Sequence, residues 1–178
     1  MKSNRRNFLK TAGIAAAGIG FSPSLISATL QSGAVRVSPA DKIRVVLIGC
    51  GGRGHDNLGG FIGNEDVRIV AVCDVDDSHS ASAKSIIDKT YGSPDCRVYK
   101  DFRDMLEKEK PDAAVLSLPD HWHALAACTV ADQKIHVYGE KPVARTLAES
   151  RAVVNAVKRN GITWQTGSRH FPADRRPQ

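Results

Sequence analysis

The residues best placed to do chemistry stand in two short runs, Gly49-Cys50-Gly51-Gly52-Arg53-Gly54 and Gly139-Glu140-Lys141-Pro142, with a single carboxylate, Asp74, between them. The first run follows the apolar stretch 45–48 and so has G-x-G-x-x-G spacing at a turn from strand into helix. In that setting Gly49 permits the tight turn, Gly51 lets the backbone come close to a diphosphate, and Gly54 lets the helix pack on the strand. The helix start, which includes Gly52 and Arg53, offers free N–H groups and a positive partial charge to the anion. A glycine pattern alone is a weak signal. Asp74 strengthens it, because it ends the apolar run 67–73 and lies twenty residues past Gly54, where a carboxylate can accept hydrogen bonds from adenosine ribose hydroxyls. Its charge would repel a 2′-phosphate, and Val75, Asp76 and Asp77 offer no arginine to hold one. NAD is therefore expected in preference to NADP. The plainer alternative is that Asp74 is a surface acid capping the next helix.

Lys141 follows an apolar strand at its carboxyl end, the side on which open parallel sheets bind ligands. A lysine there can stabilise a developing alkoxide or carry a proton, the more so if partial burial lowers its pKa. Pro142 keeps Lys141 out of the helical region and permits a cis bond. On the residues alone, a solvated lysine before a turn stays open as a reading. His121 and His123 stand two apart, so on a helix they point to different sides and chelate poorly; no metal is expected. Trp122 reads as packing. Cys50, Cys73, Cys96 and Cys128 lack CxxC spacing and lie in or beside apolar segments, as buried structural thiols do.

These residues need a scaffold that gathers strand ends. From Lys42 on, β-branched apolar runs alternate with polar, helix-favouring stretches, which predicts βαβ units and a doubly wound parallel sheet, an α/β fold of Rossmann type. The expected strands are 43–48, 67–73, 97–99, 113–118, 135–138 and 162–165, and the expected helices 54–62, 78–91, 102–108, 121–131 and 147–160, with Asp120 and Thr146 as N-caps.

The chain has 178 residues, 42% hydrophobic and 25% charged, which suits one packed domain plus a leader and leaves no room for a second full domain. Of its net charge of +6, residues 1–10 carry four charges and residues 169–178 two, so the part between them is neutral. A nucleic-acid footprint needs basic residues clustered on the folded surface, so the overall charge says little about partners, and no nucleic acid is expected. Residues 1–28 have a basic start, a short Gly- and Ala-rich apolar run and small residues near Ala28. This is a secretory layout, too short for a stable membrane span. Arg5-Arg6 followed by Asn7-Phe8-Leu9-Lys10 resembles the twin-arginine export signal, which implies export to the periplasm. Residues 29–41 read as a linker, 42–168 as the nucleotide-binding domain and 169–178 as an irregular tail.

The glycine loop, Asp74, the run Leu118-Pro119-Asp120-His121-Trp122-His123-Ala124 and the Glu140-Lys141-Pro142 turn occur in an order that resembles the Gfo/Idh/MocA oxidoreductases, the family of glucose–fructose oxidoreductase and inositol dehydrogenase. The resemblance spans residues 43–168. It implies that Lys141 is catalytic, beside the nicotinamide and the substrate hydroxyl, with Glu140 bordering the cofactor. It further implies that His123 lies near the cofactor above a loop of Pro119 and Asp120, and that Gln165, with Gly167 and Ser168, borders the nicotinamide. The implied reaction is hydride exchange between NAD and a hydroxyl-bearing carbon of a small-molecule sugar, cyclitol or other polyol. Family members continue into a second, mostly antiparallel α/β domain that builds the substrate pocket and commonly mediates homo-oligomers. No such domain follows Ser168, so the chain is expected to be truncated, which puts turnover and oligomerisation in question. Two alternatives accompany this reading: a remnant that binds NAD without turnover, and redox-assisted glycoside cleavage, from which the Glu-Lys-Pro turn leans away.

Overall fold

Alternating apolar runs and polar helix formers fold into alternating strands and helices in the computed structural model, which describes residues 42–167. The elements are β1 (Ile43–Ile48), α1 (Gly52–Ile62), β2 (Val67–Cys73), α2 (Asp77–Tyr91), β3 (Arg97–Tyr99), α3 (Phe102–Glu109), β4 (Ala113–Leu116), α4 (Asp120–Asp132), β5 (His136–Glu140), α5 (Leu147–Asn160) and β6 (Trp164–Gly167). All strand pairs are parallel, in the order β3-β2-β1-β4-β5-β6, so the winding reverses between β1 and β4. The expected Rossmann sheet is the observed one.

Both faces of the sheet are covered, which is why β1 reads as a continuous apolar run rather than an alternating one. Val45 and Leu47 pack with Leu58 of α1 and Ala83 and Ile87 of α2. Val46 and Ile48 pack on the opposite face with Met105 and Leu106 of α3, Ala126 and Val130 of α4, and Val153 and Ala156 of α5. A register shift, where Val45 pairs with Ile69 but Val46 with Ala71, rephases β2 so that Ala71 and Cys73 join the second face.

Element boundaries depart from the sequence reading where helix ends borrow apolar residues. Ile135 and Ile162 look like strand starts, yet each N–H bonds back to a helix carbonyl, Ile135 to Val130 O at 3.3 Å and Ile162 to Val157 O at 3.3 Å. Each closes a helix in a Schellman arrangement after a left-handed residue, Lys134 (φ 61°) and Gly161 (φ 64°). The strands β5 and β6 therefore begin and end later than expected. At β4 the ladder ends at the pair of Leu116 with Ile48, and its last bond is the one the Ser117 N–H donates to Ile48 O at 2.8 Å. Asp120 is not the cap of α4: Pro119 holds the N-cap position without a side-chain bond, and Asp120 is the first helical residue. Thr146 does cap α5, reciprocally with Glu149. The leader, the linker, Ser168 and the tail lie outside the described residues.

Candidate functional site

A cleft of about 700 Å³ opens at the carboxyl ends of the strands, at the β1/β4 reversal, where doubly wound sheets bind ligands. The glycines of its floor divide by what a β-carbon would meet. At Gly49, whose φ is +89°, it would fall 2.2 Å from Ser117 O, and at Gly54 2.0 Å from Gly49 O. These two are required by packing of the turn. At Gly52 it would meet nothing within 4 Å, and at Gly51 only the His79 ring at 3.4 Å. Both line the cleft at the start of α1, whose first turn carries no acid, so the open space faces a ready anion site.

Asp74 stands at the end of β2 on the cleft wall, with its side chain 11% exposed. Its Oδ2 accepts the Cys50 N–H at 2.7 Å and its Oδ1 the Asp76 N–H at 2.9 Å. The carboxylate thus clamps the glycine loop to β2. A carboxylate has about four acceptor positions, so the two backbone bonds leave acceptor capacity for a diol, with His79 Nδ1 3.7 Å from Oδ2. The capping alternative falls to its neighbour, because Asp76 caps α2 by accepting the Ser78 N–H.

Glu140 ends β5 and is buried, 3% exposed, though it carries a charge. Its Oε1 receives Arg53 Nη2 at 2.9 Å and Asn57 Nδ2 at 3.1 Å, and Asn57 also reaches Ser117 Oγ at 2.9 Å. Burial opposes ionisation of Glu140, but the hydrogen bonds from Arg53 and Asn57 and the Arg53 charge together outweigh it, and the carboxyl is held below its ordinary value. Its Oε2 has no hydrogen-bond partner among the described residues. Lys141 follows directly, joined to Pro142 by a cis peptide. Its side chain is exposed among the described residues, so the condition of partial burial is not met there.

Of the residues singled out in the sequence, Gly49, Gly51, Gly52, Arg53, Asp74 and Pro119 line the cleft and Gly54 lies buried beneath it. Asp120, Glu140, Lys141 and Gln165 do not line it; Gln165 is exposed on β6 and donates to Thr166 O at 3.1 Å. His123 is 1% exposed, and its Nε2 bonds Leu118 O at 2.7 Å, so it braces the loop before Pro119 from behind, while its Nδ1 has no partner among the described residues. His121 is exposed, so the two histidines do point apart. Trp122 is 40% exposed and lines the cleft instead of packing in the core. Cys50, Cys73 and Cys96 are buried free thiols, and Cys128 is half-buried.

Sequence reasoning missed the wall contributed by β3. Lys100, Phe102 and Arg103 line the cleft beyond Asp74, as does His79. The rule that every strand end of a parallel sheet borders the cleft would have found them. Their cations are already engaged: Lys100 Nζ lies 2.8 Å from Val75 O and 2.5 Å from Asp77, and Arg103 bonds Asp101 at 3.0 Å. With an acid at the ribose position and the neighbouring cations paired, the cleft suits NAD. Open glycines at a helix start would hold its diphosphate and Asp74 its adenosine ribose.

Residues 43–168 match the family model described as "Oxidoreductase family, NAD-binding Rossmann fold", GFO_IDH_MocA. Among curated relatives, a glycosyl hydrolase family 109 protein of Shewanella pealeana is 32% identical over 89% of this chain and 38% of its own length. An α-N-acetylgalactosaminidase of Tannerella forsythia is 30% identical over 90% and 37%. The chain therefore spans less than two-fifths of the length of these relatives. Among solved structures, myo-inositol 2-dehydrogenase of Lactobacillus plantarum superposes with a TM-score of 0.64 at 23% identity, covering 71% of this chain and 36% of that one. The WlbA dehydrogenase of Bordetella pertussis, solved with NADH and UDP-GlcNAcA, gives 0.58 at 29% identity, covering 71% and 35%. A match over this much of the chain, on a sheet that gathers the glycine loop and Asp74 into one cleft, makes this chain a member of the Gfo/Idh/MocA oxidoreductase family through its NAD-binding Rossmann domain.

Proposed function

We propose that the chain forms the cofactor-binding part of an oxidoreductase that exchanges hydride with a hydroxyl-bearing carbon of a sugar or cyclitol, with Lys141 as its catalytic residue. The observation that carries this reading is the clamp of Asp74 on the glycine loop, which leaves acceptor capacity facing the cleft. The bound nicotinamide supplies the hydride chemistry. The protein does the rest. Backbone N–H groups at the start of α1 bind the diphosphate, and Asp74 fixes the ribose. Lys141 Nζ, just past the end of β5, would in its neutral amine form take the proton of the substrate hydroxyl as its carbon is oxidised and return it in reverse. The names of the solved inositol and sugar-nucleotide dehydrogenases support a polyol or sugar substrate.

Fluorescence titration with NADH, followed by a panel of polyols and sugars assayed for nicotinamide reduction, tests this reading. Asp74→Ala should weaken NADH binding by about 30-fold or more, since hydrogen bonds to a charged group contribute about 1.5–3 kcal/mol each. Unchanged affinity would remove Asp74 from the site, and binding without turnover on any substrate would reduce the chain to an NAD-binding remnant.

A second reading is favoured by the relatives named glycosyl hydrolase family 109 and α-N-acetylgalactosaminidase: a glycoside is cleaved while its sugar is transiently oxidised and then reduced again. The Glu140-Lys141-Pro142 turn leans toward the dehydrogenase. Release of nitrophenol from aryl N-acetylgalactosaminides without net NADH formation would decide for cleavage. We further propose export to the periplasm, supported by Arg5-Arg6 and the residues after them. Arg5→Lys with Arg6→Lys should hold a fused reporter in the cytoplasm, and undiminished secretion would reject it.

A further inference from the structure

Arg53 occupies the glycine loop and lines the cleft, where a guanidinium is readily assigned to the cofactor's diphosphate. Its partners are acids instead. Nη2 lies 2.9 Å from Glu140 Oε1, and Nη1 lies 3.5 Å from Asp56 Oδ2. Two carboxylates face one guanidinium, so little net positive charge is left for a phosphate. The stronger of the two contacts runs across the fold, from the first turn of α1 to the last residue of β5, the residue before Lys141. Glu140 is tightly seated there: Asn57 holds the same oxygen, and a β-carbon at Gly167 would fall 2.6 Å from it.

We infer that Arg53 is a positioning residue that acts through Glu140 to fix the Lys141 turn, and that the diphosphate is held by the backbone of the loop without it. The inference rests on the NAD-binding reading and on the place of Lys141 in it. It replaces the cofactor-binding role that the sequence assigns to Arg53 and Glu140 with one of geometry: the same helix whose start meets the diphosphate carries the guanidinium that orients the catalytic turn.

ADP-ribose separates the two roles, because it has the diphosphate and ribose but no nicotinamide. With the full chain, R53Q and E140Q should each bind ADP-ribose within about threefold of wild type. Both should alter the nicotinamide end together, seen as the same change in emission of bound NADH and in the rate of Lys141 labelling by an amine reagent, read by peptide mass spectrometry. R53K, which keeps the charge, should recover most of the wild-type labelling rate. A loss of ADP-ribose affinity of about tenfold or more in R53Q would assign Arg53 to the diphosphate and overturn the inference. Unchanged Lys141 labelling in R53Q would overturn it as well. Arg53 is 31% exposed, so R53Q carries the decision even if E140Q does not fold. Failure of the wild-type chain to bind ADP-ribose would overturn the cofactor site itself, a different outcome from either.

Discussion

Helix α1 contains glycines whose replacement by alanine should act in opposite directions, and the difference follows from what surrounds each one. A β-carbon at Gly54 would lie 2.0 Å from Gly49 O and 2.8 Å from Gly49 C. Ordinary carbon–oxygen contacts are about 3.3 Å or longer, so α1 would have to retreat by more than about 1 Å. The obstacle cannot yield, because Gly49 is itself pressed against Ser117 and its N–H is held by Cys73 O at 2.9 Å. Overpacking costs about 1–3 kcal/mol, and a rigid backbone obstacle puts Gly54→Ala at the top of that range, about 3 kcal/mol. In a domain of this size that lowers the melting temperature by roughly 12 °C. Gly59 and Gly60 sit on the exposed side of the same helix with nothing within 4 Å. Alanine there gains helix propensity, about 1 kcal/mol each, and raises the melting temperature by roughly 4 °C. Gly52 is equally open but faces the cleft, so Gly52→Ala should leave melting near wild type and weaken NADH binding. Circular-dichroism melts and NADH fluorescence titrations read the whole series. A Gly54→Ala melt within about 2 °C of wild type would refute the packing argument, and wild-type NADH affinity in Gly52→Ala would refute the assignment of that open space.

Two further outcomes follow from charge and burial. The Glu140 carboxyl titrates below its ordinary value of 4.5 in the folded chain, so its contribution to stability is present above that pH and is lost as pH falls through the folded value. The melting-temperature advantage of wild type over Glu140→Gln should therefore be constant near neutrality and shrink below about pH 4.5; an advantage unchanged to about pH 3 would contradict it. Burial, with help from nearby acids, pushes the thiols of Cys50, Cys73 and Cys96 up to about 12, while Cys128 is only half-buried. In the native chain near pH 8, Ellman's reagent should reach Cys128 alone, and reaction of Cys50 before unfolding would show that the glycine loop is looser than its hydrogen bonds suggest.

What could be read from the sequence is what the chain encodes within a few residues. Strand, turn and helix of the phosphate loop are contiguous, and Asp74 is marked by the end of the next apolar run. The pairing of Arg53 with Glu140 could not be read this way. The two come together only because β1 and β5 flank β4 in the sheet, and neither residue bears a local mark of the other. Ile135 and Ile162 misled for a related reason: an apolar residue after a left-handed helix end serves the helix, and composition cannot separate that from the first residue of a strand. Asp120 misled because a cap is defined by backbone geometry, and Pro119 already holds that position.

The cleft also divides the proposed reaction between regions of the sheet. Its lining comes from the ends of β1, β2, β3 and β4, while Lys141 at the end of β5 stands exposed outside it. The groups proposed to hold the adenosine diphosphate thus all lie within the described residues. Lys141, by contrast, is placed and left open to water. A lysine that passes a proton works best when water is excluded around it, because desolvation destabilises its charged form. Nothing within residues 42–167 provides that enclosure; under the proposed function, bound nicotinamide and substrate would have to supply part of it. Cofactor affinity and proton transfer are therefore separable here, and a chain that binds NADH well without turning over would follow from the same geometry as one that does both.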